Sequence, residues 1–156
     1  MTHVLFFNAL LVLVCGYAFR AGGAPERWTA AVFIVGAAAT FVAPFYNALR
    51  PYAQVEPMLL AVDVLMLAGL VGIALRADRF WPLYVSALHI IAIAIHGVKA
   101  FEPDLVPWMY AGASGKIAYP MLVLLAAGAW RHRHRLARFG NDRDWSPLRR
   151  PEDEGL

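Results

Sequence analysis

The sequence predicts an all-α integral membrane protein: a bundle of five transmembrane helices with its N-terminus outside and its C-terminus in the cytoplasm. Five apolar runs occupy most of the chain, at residues 3–19, 28–47, 58–75, 81–98 and 108–130. A helix needs roughly 20 predominantly apolar residues to cross a bilayer, with about 17–25 tolerated. The chain is 60% hydrophobic and 16% charged, whereas soluble domains are about 45–50% apolar and about 25% charged.

The first run is expected to be a retained span and not a secretory signal. A signal peptide carries a basic region before its apolar stretch, and Met1-Thr2-His3 contains no Lys or Arg. Cys15 lies inside this run and is the single cysteine of the chain. A disulfide framework is therefore excluded, and we expect Cys15 to be a small buried apolar residue.

Three of the remaining four runs, 28–47, 81–98 and 108–130, have the features of spans at their ends as well as in their interiors. Aromatic residues stand at or near those ends, where interfacial belts are expected: Trp28, Tyr46, Trp81, Trp108 and Trp130. Every span should be helical, because lipid offers no partners to unpaired backbone groups. We therefore divide the chain into a five-span helical domain, residues 1–130, and a basic cytoplasmic tail, residues 131–156, whose end is expected to be disordered.

The distribution of arginine sets the predicted orientation. With five spans the termini lie on opposite sides, and a cytoplasmic C-terminus places 11 of the 14 basic residues inside. The outer loops then hold only Arg50 and Lys99, together with the acids Glu56, Glu102 and Asp104. Because cytoplasmic loops carry the excess of Lys and Arg, this bias predicts the orientation with the N-terminus outside.

Four ionisable residues fall inside the predicted spans: Asp63, His89, His96 and Lys116. Such residues are costly in lipid, so each is a hypothesis of a functional site. From the rise of about 1.5 Å per residue, all four lie in the outer half of the membrane or at its middle. The least costly arrangement turns them toward one intramembrane polar pocket, in which Asp63 and Lys116 pair. The alternative is that Lys116 and His96 extend outward to the interface and local hydrogen bonds satisfy Asp63.

Such a pocket is compatible with several functions. It is suited to a lipid, a quinone or another small molecule, or to a proton or ion relay, although a relay needs a path that the inner half does not offer. Haem ligation by two histidines requires ligands from facing helices, and His89 and His96 belong to one helix. We expect no bound cofactor.

The start of the tail is an arginine-rich flank of the fifth span. We expect Arg131, Arg133, Arg135 and Arg138 to contact lipid headgroups, with about 1 kcal/mol from each basic group near an anionic leaflet. His132 and His134 have the spacing of a chelate, but the neighbouring arginines repel a cation, so we expect a solvated segment and no metal site. Its position after a span favours lipid over nucleic acid, and no nucleic-acid partner is expected.

Three segments of the chain resemble a group of small multispan proteins of alphaproteobacteria. They are Arg76-Ala-Asp-Arg-Phe-Trp-Pro-Leu-Tyr84 with the two histidines after it, Ala118-Tyr-Pro-Met-Leu-Val123, and Trp130-Arg-His-Arg133. The resemblance covers roughly residues 58–135. It implies a multi-pass protein of the bacterial inner membrane and no particular activity.

Catalytic signatures are missing from the sequence. It contains no HExxH, no GxSxG and no phosphate-binding glycine loop. We therefore expect a non-enzymatic accessory or structural subunit of a membrane assembly, in contact with lipids and with other membrane subunits or further copies of itself. The alternatives are a small transporter or ligand-binding protein that uses the polar pocket, and a haem-binding redox subunit.

Overall fold

A computed structural model of the protein describes residues 2–46, 57–101 and 107–146, with side chains for residues 4–42, 58–95 and 116–146. In this part of the chain the fold is all-α, with five helices and no strand. The helices are α1 Thr2–Ala21, α2 Ala24–Tyr46, α3 Pro57–Arg76, α4 Trp81–Phe101 and α5 Pro107–Phe139. The predicted all-α bundle of five helices is confirmed at this level.

The helices form a ring in which each one packs against the next along the chain. Helix α5 closes the ring against α1 and also contacts α2. Near the start of α1, the Phe7 ring meets Tyr119 of α5 edge-on at 5.6 Å between ring centres. Short connections explain the sequential packing, because a helix that follows a short loop returns beside its predecessor.

The core is built mainly from small and aliphatic side chains contributed by all five helices. Its members include Cys15, Phe33, Leu70, Val85 and Leu125. Cys15 is fully buried, as expected. At Gly36 of α2, a Cβ would overlap Met66 of α3, so this glycine permits close contact between the two helices, whereas Gly72 of α3 has nothing within 4 Å.

Two described helical segments are long and apolar enough to cross a membrane, Val4–Ala21 and Met58–Arg76. A third apolar segment, Trp81–Ile95, is shorter in the described part of the chain. Length and apolar composition alone are weak support for a membrane location, because the core helix of a soluble protein can share them.

Helix α5 differs most from its predicted span. It continues past Trp130 through the arginine-rich segment to Phe139, and Gly140 ends it with a left-handed φ of 70°. The apolar pattern stops at Trp130, but Ala, Leu and Arg are strong helix formers and continue the helix without it. Residues 141–146 then fold back onto the end of the bundle. The predicted disorder falls on residues 147–156, outside the described residues.

Candidate functional site

Of the four predicted pocket residues, the structure brings two together. His89 of α4 is 5% exposed, and its Nε2 lies 3.0 Å from the backbone carbonyl oxygen of Asp63 in α3. Because a carbonyl oxygen only accepts, Nε2 carries the hydrogen and donates it. The Asp63 carboxylate is farther away, with Oδ1 at 4.0 Å from the same nitrogen. His89 therefore joins α3 to α4 inside the bundle.

Lys116 is not brought into this contact. Lys116 is exposed on α5, and among the described residues no ion pair joins it to Asp63. The side chain of His96 lies outside the described residues. In this arrangement His89 Nε2 is occupied by a helix carbonyl, so the ring offers only its other nitrogen to a ligand.

A larger polar assembly lies at the arginine-rich end of the bundle, and sequence reasoning missed it. We call it the arginine cluster, and its members are Glu26, Arg79, His132, Asp142 and Asp144. The cluster draws on the start of α2, the α3–α4 loop, the C-terminal part of α5 and the segment after it. Arg79 is at its centre, with a side chain only 7% exposed.

Glu26 organises one side of the arginine cluster. It is fully buried at the third position of α2, and its Oε2 accepts a hydrogen bond from the Gly23 amide at 2.9 Å. This bond is half of a capping box, which satisfies a free amide at the helix start. Oε1 accepts from Arg79 Nη1 and, at 3.2 Å, from Trp81 Nε1. One carboxylate thus joins α2, the α3–α4 loop and α4.

The other side of Arg79 faces two aspartates. Its Nη2 lies 2.8 Å from Asp142 Oδ2 and 3.2 Å from Asp144 Oδ1. His132 Nδ1 lies 2.9 Å from the same Nη2 and 2.7 Å from Asp142 Oδ2. Because a guanidinium only donates and a carboxylate only accepts, Nδ1 accepts from Arg79 or donates to Asp142, according to its tautomer. Arg135 Nη1 adds a longer contact to Asp142 at 3.6 Å.

The prediction that His132 belongs to a solvated segment is therefore wrong. Its side chain is 11% exposed and contacts Asp142 within the arginine cluster. His134 and the four predicted headgroup arginines are exposed. Successive helical residues are rotated by about 100°, so His132 and His134 leave α5 in different directions. The headgroup contacts predicted for Arg131, Arg133, Arg135 and Arg138 stay a prediction.

The cluster contains three potential metal-ligand atoms, from Glu26, His132 and Asp144, within 4.8 Å of one another. Arg79 already donates to both of these carboxylates. A metal ion would meet a buried guanidinium at its own ligands. The donor set is therefore suited to holding Arg79, and we assign no metal to it.

An open cleft of about 540 Å³ adjoins the cluster, between α1, α2 and the folded-back end of the chain. Phe19, Trp28 and Arg27 contribute to its walls, and His132 and Asp144 border it. Arg27 Nε donates to the Gly22 carbonyl oxygen at 3.1 Å. The cleft shows that the cluster is reached from the surface on this side.

Comparison with protein-family models, with curated proteins and with solved structures finds no match for this chain. The interpretation of the site therefore depends on its own geometry.

Proposed function

We propose that this chain is a five-span protein of the bacterial inner membrane, with its N-terminus outside and its C-terminus in the cytoplasm, and that it acts as a non-enzymatic accessory or structural subunit of a membrane assembly. The observation that carries the proposal is the apolar outer surface of the bundle. Each helix exposes large apolar side chains. One example from each, in chain order, is Leu13 (70% exposed), Val35 (67%), Leu65 (73%), Ile90 (51%) and Val123 (64%).

An apolar surface of this kind is unfavourable in contact with water. Monomeric soluble proteins seldom expose contiguous apolar patches larger than a few hundred Å². Here large apolar side chains point outward from all five helices, while the interior holds the polar contact between His89 and Asp63. Lipid tails and the apolar faces of other membrane subunits are the two surroundings that suit this distribution.

The charge distribution supports the proposed orientation. Arg20, Arg76 and Arg138 lie near helix ends and are exposed, and the arginine cluster joins the same end of the bundle. An excess of exposed arginine is typical of the cytoplasmic side.

The buried polar groups support a structural role over a catalytic one. Glu26 accepts hydrogen bonds from Gly23, Arg79 and Trp81 and so joins α2, the α3–α4 loop and α4, and His89 joins α3 to α4. Each contact stabilises the bundle directly, without a substrate.

Native mass spectrometry of protein extracted gently from its own membrane tests the proposed function. We expect the chain to co-purify with other polypeptides at a fixed stoichiometry that the His89→Leu variant preserves. A lone chain that carries the mass of a quinone, lipid or haem, lost in His89→Leu, would contradict the subunit role and favour the ligand-binding alternatives.

A further inference from the structure

The segment after α5, residues 140–146, is held to the bundle by aspartate side chains and backbone hydrogen bonds. We call it the terminal strap. Its half-buried residues are Asp142 and Asp144, and the other five are exposed. Trp145, its one large apolar residue, is 38% exposed. The strap therefore adds no side chain to the hydrophobic core, and its two half-buried residues are both aspartates.

Backbone bonds complete the attachment at the α3–α4 loop. The Ser146 amide donates to the Arg76 carbonyl oxygen at 2.8 Å, and the Asp78 amide donates to the Asp144 carbonyl oxygen at 3.3 Å. Ala77 and Trp145 form an isolated antiparallel bridge. Gly140 ends α5 with a left-handed backbone and turns the chain back toward this loop.

The surface beneath the strap has the chemistry of a receptor for carboxylates. Arg79 Nη2 and His132 Nδ1 both face Asp142, and Arg135 lies on the same side. The Arg79 Nε atom is buried and has no hydrogen-bond partner among the described residues. Glu26 binds Nη1 of Arg79, so removal of both aspartates leaves Nη2 without a carboxylate partner.

We propose that the terminal strap is a releasable internal ligand of a carboxylate-binding site built by Arg79 and His132, and that an acidic segment of a partner protein binds this site by displacing the strap. The choice of occupant follows from charge complementarity, because the strap itself presents two aspartates in the sequence Asp-x-Asp. The existence of a partner rests on the proposed role as a subunit, whereas the binding site does not.

The first test measures whether carboxylates hold the strap. Hydrogen exchange at the Ser146 and Asp78 amides is compared between the full-length wild-type chain and the Asp142→Asn/Asp144→Asn variant. Loss of two charge-assisted hydrogen bonds should accelerate exchange by on the order of tenfold or more at these amides, with little change inside the helices. Asp78→Asn is the matched control, because Asp78 is exposed and only its backbone amide contacts the strap. Unchanged exchange in the double variant would overturn the proposal.

The second test measures whether the uncovered site binds an acidic segment. A fluorescent peptide with the sequence of residues 140–146 should bind the double variant more tightly than the wild-type chain, whose own strap competes. A peptide with both aspartates replaced by asparagine should not bind. If the double variant loses its helical circular dichroism, Asp144→Asn replaces it, since the Asp144 side chain is 35% exposed and lies outside the core.

Equal binding of both peptides, or no binding to a folded variant whose strap exchanges rapidly, would overturn the proposal. Neither result would affect the subunit role, which depends on co-purification of the wild-type chain from its own membrane.

Discussion

At the scale of single residues, Glu26 is the fully buried member of the arginine cluster. This carboxylate accepts three hydrogen bonds in a fully buried position. Glu26→Gln should lower the free energy of unfolding by about 1–3 kcal/mol, because a neutral amide replaces the buried carboxylate on one side of Arg79 while Asp142 and Asp144 still face its other side. Thermal unfolding in detergent measures the loss. The exposed acid Asp78 provides the control Asp78→Asn, which should change stability little; equal effects of both variants would contradict the assigned role of Glu26.

At Gly23 the terminal strap passes so close that a side chain would meet it. A Cβ at this position would overlap Asp144 Oδ1 and lie 2.9 Å from His132 Cε1. Gly23→Ala should therefore displace the strap and speed hydrogen exchange at the Ser146 amide. Gly16→Ala is the matched control, since nothing lies within 4 Å of a Cβ there. Slow exchange at Ser146 in Gly23→Ala would show that the strap is not packed against this glycine.

Sequence reasoning could not find the arginine cluster for a physical reason. Its members extend from residue 26 to residue 144 and have no regular spacing in the sequence. Only the fold brings them together. Arg79 resembles any other loop arginine, although it alone among the arginines described is so deeply buried. One local signal existed: Glu26 follows Gly23 by three residues, which is the spacing of a capping box.

At the scale of secondary-structure elements, α4 and α5 approach closely at Gly128. A Cβ at this position would lie 2.8 Å from Cε2 of the Trp81 indole, and the same ring donates to Glu26. Overpacking costs about 1–3 kcal/mol, which offsets the gain of about 1 kcal/mol that alanine brings to a helix. Gly128→Ala should therefore unfold at a lower temperature than the control Gly72→Ala, whose Cβ meets nothing within 4 Å. The reverse order would contradict this packing.

The contact between α3 and α4 is a second prediction at this scale. His89→Leu introduces an apolar side chain of similar size and removes the donor to the Asp63 carbonyl oxygen. We expect a loss of about 1 kcal/mol, the usual size of a hydrogen bond between helices in lipid. His89→Gln retains a donor and should lose less. Greater stability of His89→Leu than of the wild-type chain in thermal unfolding would show that His89 is retained for a purpose other than stability.

The elements themselves were predictable because apolar runs of span length have few other solutions. The positions at which the helices begin and end were less predictable. Helix α2 begins at Ala24, four residues before the apolar run, because Glu26 and Gly23 cap it. Helix α5 extends to Phe139 because helix propensity continues where apolar periodicity stops.

At the scale of the whole molecule, the ring of five helices presents an apolar outer surface and two different ends. The end that carries the arginine cluster holds the exposed arginines Arg20 of α1, Arg27 of α2 and Arg76 of α3, together with those of α5. The sequence also assigns few basic residues to the opposite loops. A membrane protein of this kind should therefore have one fixed orientation, with the terminal strap in the cytoplasm.

Cysteine accessibility tests this central claim most directly. Single cysteines are introduced by Asp78→Cys, in the α3–α4 loop, and by Asp104→Cys, between α4 and α5, in a Cys15→Ala background. A membrane-impermeant maleimide is then added to vesicles of known orientation. We predict that Asp78→Cys is labelled only from the cytoplasmic side and Asp104→Cys only from the periplasmic side. Labelling of both positions from one side would contradict a membrane-spanning α4, and the reversed pattern would contradict the orientation.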